Sequence, residues 1–295
     1  MLTLDHLTAL QANHQNAFVA PVREFSLGGR SFHFNRRPEI MGVINLSPDS
    51  WYRESVCLST EAAIQRGRTL TAQGAAIVDI GAESTLAHAA RAEDALQNSR
   101  LLPVISTLAS EGALVSVETY LPSVAERSLN AGAKVLNLTG VAGSEEMFRL
   151  VAAHDAAVII CFVQGAHVRE VSNLVWANDP IQELYEFFAR QTALAERCGV
   201  TRMFIDPGLG FYYRNLQDSG ARIRHQMNVF LNSFRFRPLG HPICHALPHA
   251  FECFGEEVRS AEPFFATLAA LGKTDLFRTH EVPRVKAVLE TLALY

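Results

Sequence analysis

The chain has 295 residues, 48% of them hydrophobic and 19% charged, enough for a sizeable core arranged as two average domains or one large barrel. A formal net charge of −4 gives no electrostatic ground for a nucleic-acid or anionic-membrane partner, and no apolar run approaches the ~20 residues of a membrane span. Residues 1–20 lack the basic start and continuous apolar centre of a signal peptide, and the cysteines at 57, 161, 198, 244 and 253 fit no disulfide framework, so a reducing cytoplasm is the expected setting.

Residues 1–37, with a turn at Gly28-Gly29, are expected to form a short N-terminal extension that covers the bottom of the domain. The first strand is predicted at 39–45. Ile40, Met41, Val43 and Ile44 run without alternation, so both faces of that strand are covered, as in a parallel sheet. A helix over 59–73 follows, with Ser59 or Thr60 as its N-cap and Gly74 closing it, and then a strand at 76–80. The alternation continues with strands at 114–117, 134–137, 157–160, 203–206, about 242–245 and 275–278. Helices are predicted between them at 122–130, 144–154, 180–198, 221–233 and 261–271. Eight such units predict an α/β fold, a (β/α)8 TIM barrel over 38–295 as a single domain, a class that typically takes ~250 residues. A doubly wound open sheet is the alternative.

In such a barrel the functional face is read from the residues that end each strand. They are Asn45, Ser47, Asp49 and Ser50; Asp79, Glu83, Ser84 and Thr85; Glu118 and Thr119; Asn137 and Thr139; Gln164 and His167. The last three strands offer Asp206 with the 207–211 segment, His245 or His249, and Arg278 with His280. One such residue often only starts a turn or caps a helix. Nearly every strand ends in one here, and a purely structural barrel needs no such convergence. A buried carboxylate accepts two parallel hydrogen bonds from an NH–C–NH₂ edge, which a 2-amino-4-oxo pyrimidine ring such as a pterin or guanine carries. Asp206 and Glu118, with the amide of Asn137, fit that edge, whereas Arg278 and His280 suit phosphate or carboxylate oxygens. The expected site holds a heterocycle deep inside and an anion near the rim.

The segments Ile40-Met-Gly-Val-Ile-Asn-Leu-Ser-Pro-Asp-Ser50, Ile77-Val-Asp-Ile-Gly-Ala-Glu-Ser-Thr85, Ser116-Val-Glu-Thr119, Ile205-Asp-Pro-Gly-Leu-Gly-Phe211 and Phe277-Arg-Thr-His-Glu-Val282 together resemble dihydropteroate synthase, in order and spacing, over roughly 38–290. The resemblance implies a cytoplasmic, folate-biosynthetic transferase that joins 6-hydroxymethyl-dihydropterin pyrophosphate to an arylamine such as 4-aminobenzoate. It implies that Asn45 helps hold Mg²⁺ on the pyrophosphate, that Asp206 and Asn137 grip the pterin, and that Arg278 and His280 bind an anion. Glu118 stands where the family has an aspartate that stabilises the developing methylene cation. Pro48-Asp49-Ser50 and Ser84-Thr85 match the starts of two mobile loops. Glu118, Asp49 and His249 are therefore the expected catalytic residues, and Asn137, Asp206, Thr85, Phe211, Arg278 and His280 the expected substrate contacts. Family members commonly pair through the end of the barrel that carries the apolar helix 262–271, so a homodimer is expected.

The departures from the family pattern are as specific as the matches. After strand seven the family carries a serine-arginine-lysine cluster; here residues 241–251 contain no lysine or arginine, and His249 or Ala250 takes the lysine's place. The second loop continues as Leu86-Ala87 instead of arginine-proline, Leu138 replaces an aspartate, and Tyr52-Arg-Glu-Ser55 replaces an aspartate-glycine-glycine region. Arg53 is a candidate to compensate for the missing loop arginine. Electrostatic groups of this kind are commonly worth ~10²–10³ each in rate. The alternative reading is a homologue that has lost the usual reaction, either acting on a different substrate in the same pocket or binding pterin or a partner without catalysis. His241, Cys244, His245, His249 and Cys253 fit no standard zinc spacing, and alternation along a strand separates Cys244 from His245.

Overall fold

The computed structural model describes residues 1–50, 52–84, 89, 91–171, 173–211, 213–216 and 218–295. Two short helices, α1 (Leu4–Asn13) and α2 (Gln15–Val19), lead into an antiparallel hairpin of β1 (Phe25–Leu27) and β2 (Arg30–Phe32). The strands that follow are β3 (Glu39–Asn45), β4 (Ile77–Gly81), β5 (Val115–Thr119), β6 (Val135–Leu138), β7 (Ala157–Cys161), β8 (Arg202–Asp206), β9 (Cys244–Ala246) and β10 (Leu276–Thr279). They form one parallel sheet in the order β8-β7-β6-β5-β4-β3-β10-β9. Its two edges meet where the Ile205 amide donates to the Pro242 carbonyl at 3.1 Å and Ile205 bridges Ile243. The fold is a closed (β/α)8 TIM barrel.

The strands are predominantly apolar because each has two buried faces. Ile40, Ile44, Val78, Ile80, Val115, Val117 and Ile205 pack outward with the helices. Those helices are α3 (Thr60–Gln73), α4 (Asp94–Ser110), α5 (Pro122–Asn130), α6 (Ser144–Ala153), α7 (Pro180–Arg197), α8 (Ser219–Asn232), α9 (Phe251–Phe254), α10 (Ala261–Leu271) and α11 (Val282–Leu292). The Ser59 hydroxyl caps α3 by accepting from the Ala62 amide at 3.1 Å. Gly67 lets α3 and α4 touch, since a Cβ there would stand 2.5 Å from Leu108. The helix α4 is absent from the sequence-level prediction because Pro103 interrupts its interior, where a proline ordinarily ends a helix.

Met41, Ile77, Val135, Ala157, Phe204 and Leu276 point inward and meet Val22, Leu27, Phe32 and Phe34 of the preceding segment. Phe25, Phe32, Phe34 and Phe204 form a ring cluster with the centroids of Phe25 and Phe34 5.4 and 5.5 Å from that of Phe204. Most of these inward side chains lie near the strands' N-terminal ends, so the hairpin fills that mouth of the barrel. Arg237 fastens the same region. It donates to both Asp275 oxygens at 2.9 and 3.2 Å, to the Ala20 carbonyl at 2.8 Å and to Asn35 at 3.0 Å. Among the described residues no helix is long and apolar enough to cross a membrane.

Candidate active site

The opposite mouth opens into a cavity whose polar residues are set by strand alternation. Glu118 on β5 lies opposite Asn137 on β6 and Gly81 on β4, while Asp79 lies opposite Ser116 one layer deeper. Arg278 reaches these layers from β10. Its Nε donates to Asp79 Oδ2 at 2.7 Å, and its Nη2 donates to Glu118 Oε2. Asp79 also accepts from the Ser116 hydroxyl at 2.6 Å and from the Asn137 amide at 3.1 Å. Asn137 Oδ1 in turn accepts from the Cys161 thiol at 3.2 Å. The guanidinium expected to grip an anion thus lies between two carboxylates on the cavity floor.

Asp206, at the end of β8, also lines the cavity and is 3% exposed. Its Oδ1 accepts the Gly208 amide at 2.8 Å, and it shares a hydrogen bond with the Cys244 thiol. Only glycine fits position 208: φ is +74°, and a Cβ would stand 2.2 Å from the Phe162 carbonyl oxygen. Among the described residues no lysine, arginine or histidine forms an ion pair with Asp206. Burial pushes its carboxyl up to about 6, opposed by the Gly208 amide and by Arg278. Burial pushes Glu118 up to about 7 as well, with Arg278 opposing and Asp79 and Asp206 reinforcing.

The rim is built from β3, β9 and β10. Asn45 Nδ2 donates to the Ser55 hydroxyl at 2.6 Å, which donates to the Tyr52 carbonyl at 2.7 Å. The Tyr52 ring stacks on His280 and His249 at centroid distances of 4.6 and 5.0 Å. Its hydroxyl donates to Glu281, which Arg259 also holds at 2.6 and 3.0 Å. His280 Nδ1 lies 2.7 Å from Oε1 of Glu262, a fully buried carboxylate in the first turn of α10. Oε2 of Glu262 accepts from the Thr279 hydroxyl and from the backbone amides of His280 and Glu281 at 2.9 and 3.2 Å. His249 Nδ1 stands 3.5 Å from Oε1 of the same carboxylate and has no hydrogen-bond partner. Burial pushes His249 down to about 4.

The fold thus brings Asn45, Glu118, Asn137, Asp206 and Phe211 to one cavity, together with His249, Arg278 and His280. Asp49 is exposed on the turn at 48–49 and stands outside the lining. Thr85, together with Trp51, Leu86, Ala87 and His88, lies outside the described residues. Arg53 is exposed and donates to the Pro48 carbonyl at 2.8 Å. His245 turns outward, 2.6 Å from the Ser233 hydroxyl and against Phe230, and Cys253 is exposed, so the histidines and cysteines of 241–253 do not converge. Glu262 and Tyr52 are the residues missed by the sequence-level site. A lone acid at the start of a strongly apolar helix was the available signal for Glu262.

A family model described as "Pterin binding enzyme" matches residues 41–235. The chain is 30% identical over 275 residues to a probable bifunctional folylpolyglutamate synthase/dihydropteroate synthase of Haloferax volcanii, covering 90% of this chain and 32% of that protein. It is 32% identical over 189 residues to the dihydropteroate synthase of Synechocystis sp., covering 63% of this chain and 65% of that protein. It therefore spans less than two thirds of the length of these curated relatives. Among solved structures, dihydropteroate synthase from Thermus thermophilus in complex with 4-aminobenzoate is 28% identical, with a TM-score of 0.74 over 92% of this chain and 100% of that one. The Xanthomonas albilineans enzyme with 4-aminobenzoic acid is 25% identical, with a TM-score of 0.77 over 92% of this chain and 98% of that one. With barrel, cavity and these likenesses in agreement, the chain belongs to the dihydropteroate synthase family of pterin-binding enzymes.

Proposed function

We propose that the protein is a divergent dihydropteroate synthase-like transferase that condenses 6-hydroxymethyl-dihydropterin pyrophosphate with an arylamine such as 4-aminobenzoate. The observation that carries this reading is Asp206, a buried carboxylate at the cavity wall without an ion-pair partner among the described residues. Its remaining acceptor sites match the paired donors of a pterin's amino edge. Asn137 and Phe211 line the same cavity and complete a bed for the ring. One solved relative, from Thermus thermophilus, is described in complex with 6HMPPP, which supports a pterin pyrophosphate as the ligand.

In this reading the C–O bond to pyrophosphate breaks with its electron pair leaving on the pyrophosphate. The resulting methylene cation is attacked by the arylamine nitrogen, which then releases a proton. Two carboxylates (Asp79 and Glu118) pair with one guanidinium (Arg278) and a third, Asp206, lines the same cavity without an ion-pair partner among the described residues, so the floor favours positive charge developing above it. Water must be kept from the cavity during this step, because it would otherwise capture the cation. Asn45 fits a Mg²⁺ role: its Nδ2 is held by Ser55, and its Oδ1 takes no hydrogen bond from the described residues. Bound there, Mg²⁺ would supply charge neutralisation to the leaving pyrophosphate. We place the protein in the cytoplasm and assign it a homodimer through α10, where Phe264 and Leu271 are 43% and 48% exposed.

The decisive assay supplies 6-hydroxymethyl-dihydropterin pyrophosphate, 4-aminobenzoate and Mg²⁺ to the purified protein and measures dihydropteroate by mass spectrometry, beside calorimetric titration with the pterin. Product from the native protein and none from Asp206→Asn is the expected result. Absence of pterin binding by the native protein rejects the pocket reading. The lack of lysine and arginine in residues 241–251 favours a second reading, transfer to a different acceptor. Pterin binding without dihydropteroate formation would select it.

A further inference from the structure

We propose that His249, Glu262 and His280 form a binding site for a divalent transition-metal ion of the zinc class at the rim of the cavity. The donor atoms, one from each residue, lie within 4.8 Å of one another. They come from three separate elements: the loop after β9, the first turn of α10 and the residue just beyond β10. Two imidazole nitrogens and one carboxylate oxygen make up a three-ligand set of the kind that leaves a further position open in catalytic metal sites. Imidazole donors exclude Mg²⁺ and Ca²⁺ as the fitting ions, since both take oxygen ligands. The site is therefore distinct in chemistry from the one assigned to Asn45.

Three observations favour a bound ion over a simple hydrogen-bonded cluster. His249 Nδ1 is buried and faces Glu262 Oε1 at 3.5 Å without a hydrogen bond, so one donor atom of the set is left unsatisfied by protein. Glu262 is fully buried, and among the described residues its ion-pair partners are these two imidazoles, with no lysine or arginine. A buried carboxylate needs a compensating positive charge, and a metal ion supplies it while satisfying all three donors at once. Finally, the chain after His249 accepts strain: Ala250 has φ +46°, a left-handed conformation that costs a residue bearing a Cβ.

The surroundings are those of a built site. Oε2 of Glu262 is fixed by Thr279 and two backbone amides, which leaves Oε1 directed at the imidazoles. Tyr52 stacks on both rings and fixes their planes. His249 and His280 line the cavity, so an ion held here would put positive charge at the rim where residues 241–251 carry no lysine or arginine.

The test uses the full-length protein stripped with a chelator and then titrated with Zn²⁺ against a chromophoric competitor, and separately with Co²⁺, whose visible ligand-field bands report nitrogen and oxygen coordination. The expected result is one equivalent bound, with affinity reduced by more than about 100-fold in His249→Ala and in His280→Ala, since even the loss of an outer-shell partner costs ~10–100-fold. Glu262→Gln should lose binding too, and circular dichroism establishes that each variant is folded; His249→Ala keeps the test decisive if Glu262→Gln unfolds the chain. Asn45→Ala should bind Zn²⁺ as the native protein does. The proposal is overturned if the native protein binds no stoichiometric Zn²⁺ or Co²⁺, or if binding persists unchanged in both histidine variants. Neither substrate enters the measurement, so its outcome is independent of the transferase reading.

Discussion

At the N-terminal mouth of the barrel, Phe25, Phe32, Phe34 and Phe204 meet ring against ring, and Arg237 is met by Asp275, Asn35 and the Ala20 carbonyl. At the C-terminal mouth, Asp206 keeps acceptor capacity in hand, His249 Nδ1 has no partner, and one arginine answers two carboxylates. Both mouths are made by the same strands, and the two differ in what fills them: packed rings and a multiply bonded arginine at one, an open cavity lined by polar side chains at the other. A filled end contributes stability; an open end with unused hydrogen-bonding capacity is built for a ligand.

Substitutions should separate these roles. The largest effect belongs to the lower mouth: Phe204→Ala should cost about 3–5 kcal/mol of folding stability in chemical denaturation, because it leaves a cavity against the rings of Phe25 and Phe34. At the upper mouth Asp206→Asn should leave the denaturation midpoint nearly unchanged while weakening pterin binding about 100-fold, since hydrogen bonds to a charged acceptor are worth ~1.5–3 kcal/mol each. A large stability loss in that variant would erase the contrast.

Acidity sharpens the same contrast. The Asp206 carboxyl ionises at about 6 instead of its ordinary value, so it is protonated at pH 5 and charged at pH 8. Only the charged form accepts from both donors of a pterin edge. Affinity should therefore rise about tenfold from pH 5 to pH 8, measured by titration calorimetry, and Asp206→Asn should flatten the profile. The smallest effect is expected at Ser116→Ala, which removes one of three side chains that donate to Asp79 and should cost about 1 kcal/mol of stability.

The barrel was legible because uninterrupted apolar strands alternated with helical segments at regular intervals, and that alternation also separated Cys244 from His245. Asp206, Asn137 and Glu118 were legible because each sits where a strand stops. Glu262 was not, because it begins a helix whose remaining residues are apolar, and its partners lie on other elements. The locked position of Arg278 was hidden for a related reason: a strand-end guanidinium reads as available until Asp79 and Glu118 are seen across the barrel. Pro103 concealed α4 in the same way, through a local rule that packing overrode.

The aromatic hairpin that stoppers the lower mouth has a kinetic consequence. With one end shut, a molecule seated on Asp206 has a single doorway, and any second molecule resting above it must depart first. Arrival and departure then follow a last-in, first-out sequence, so an excess of the shallower ligand should trap the deeper one instead of displacing it.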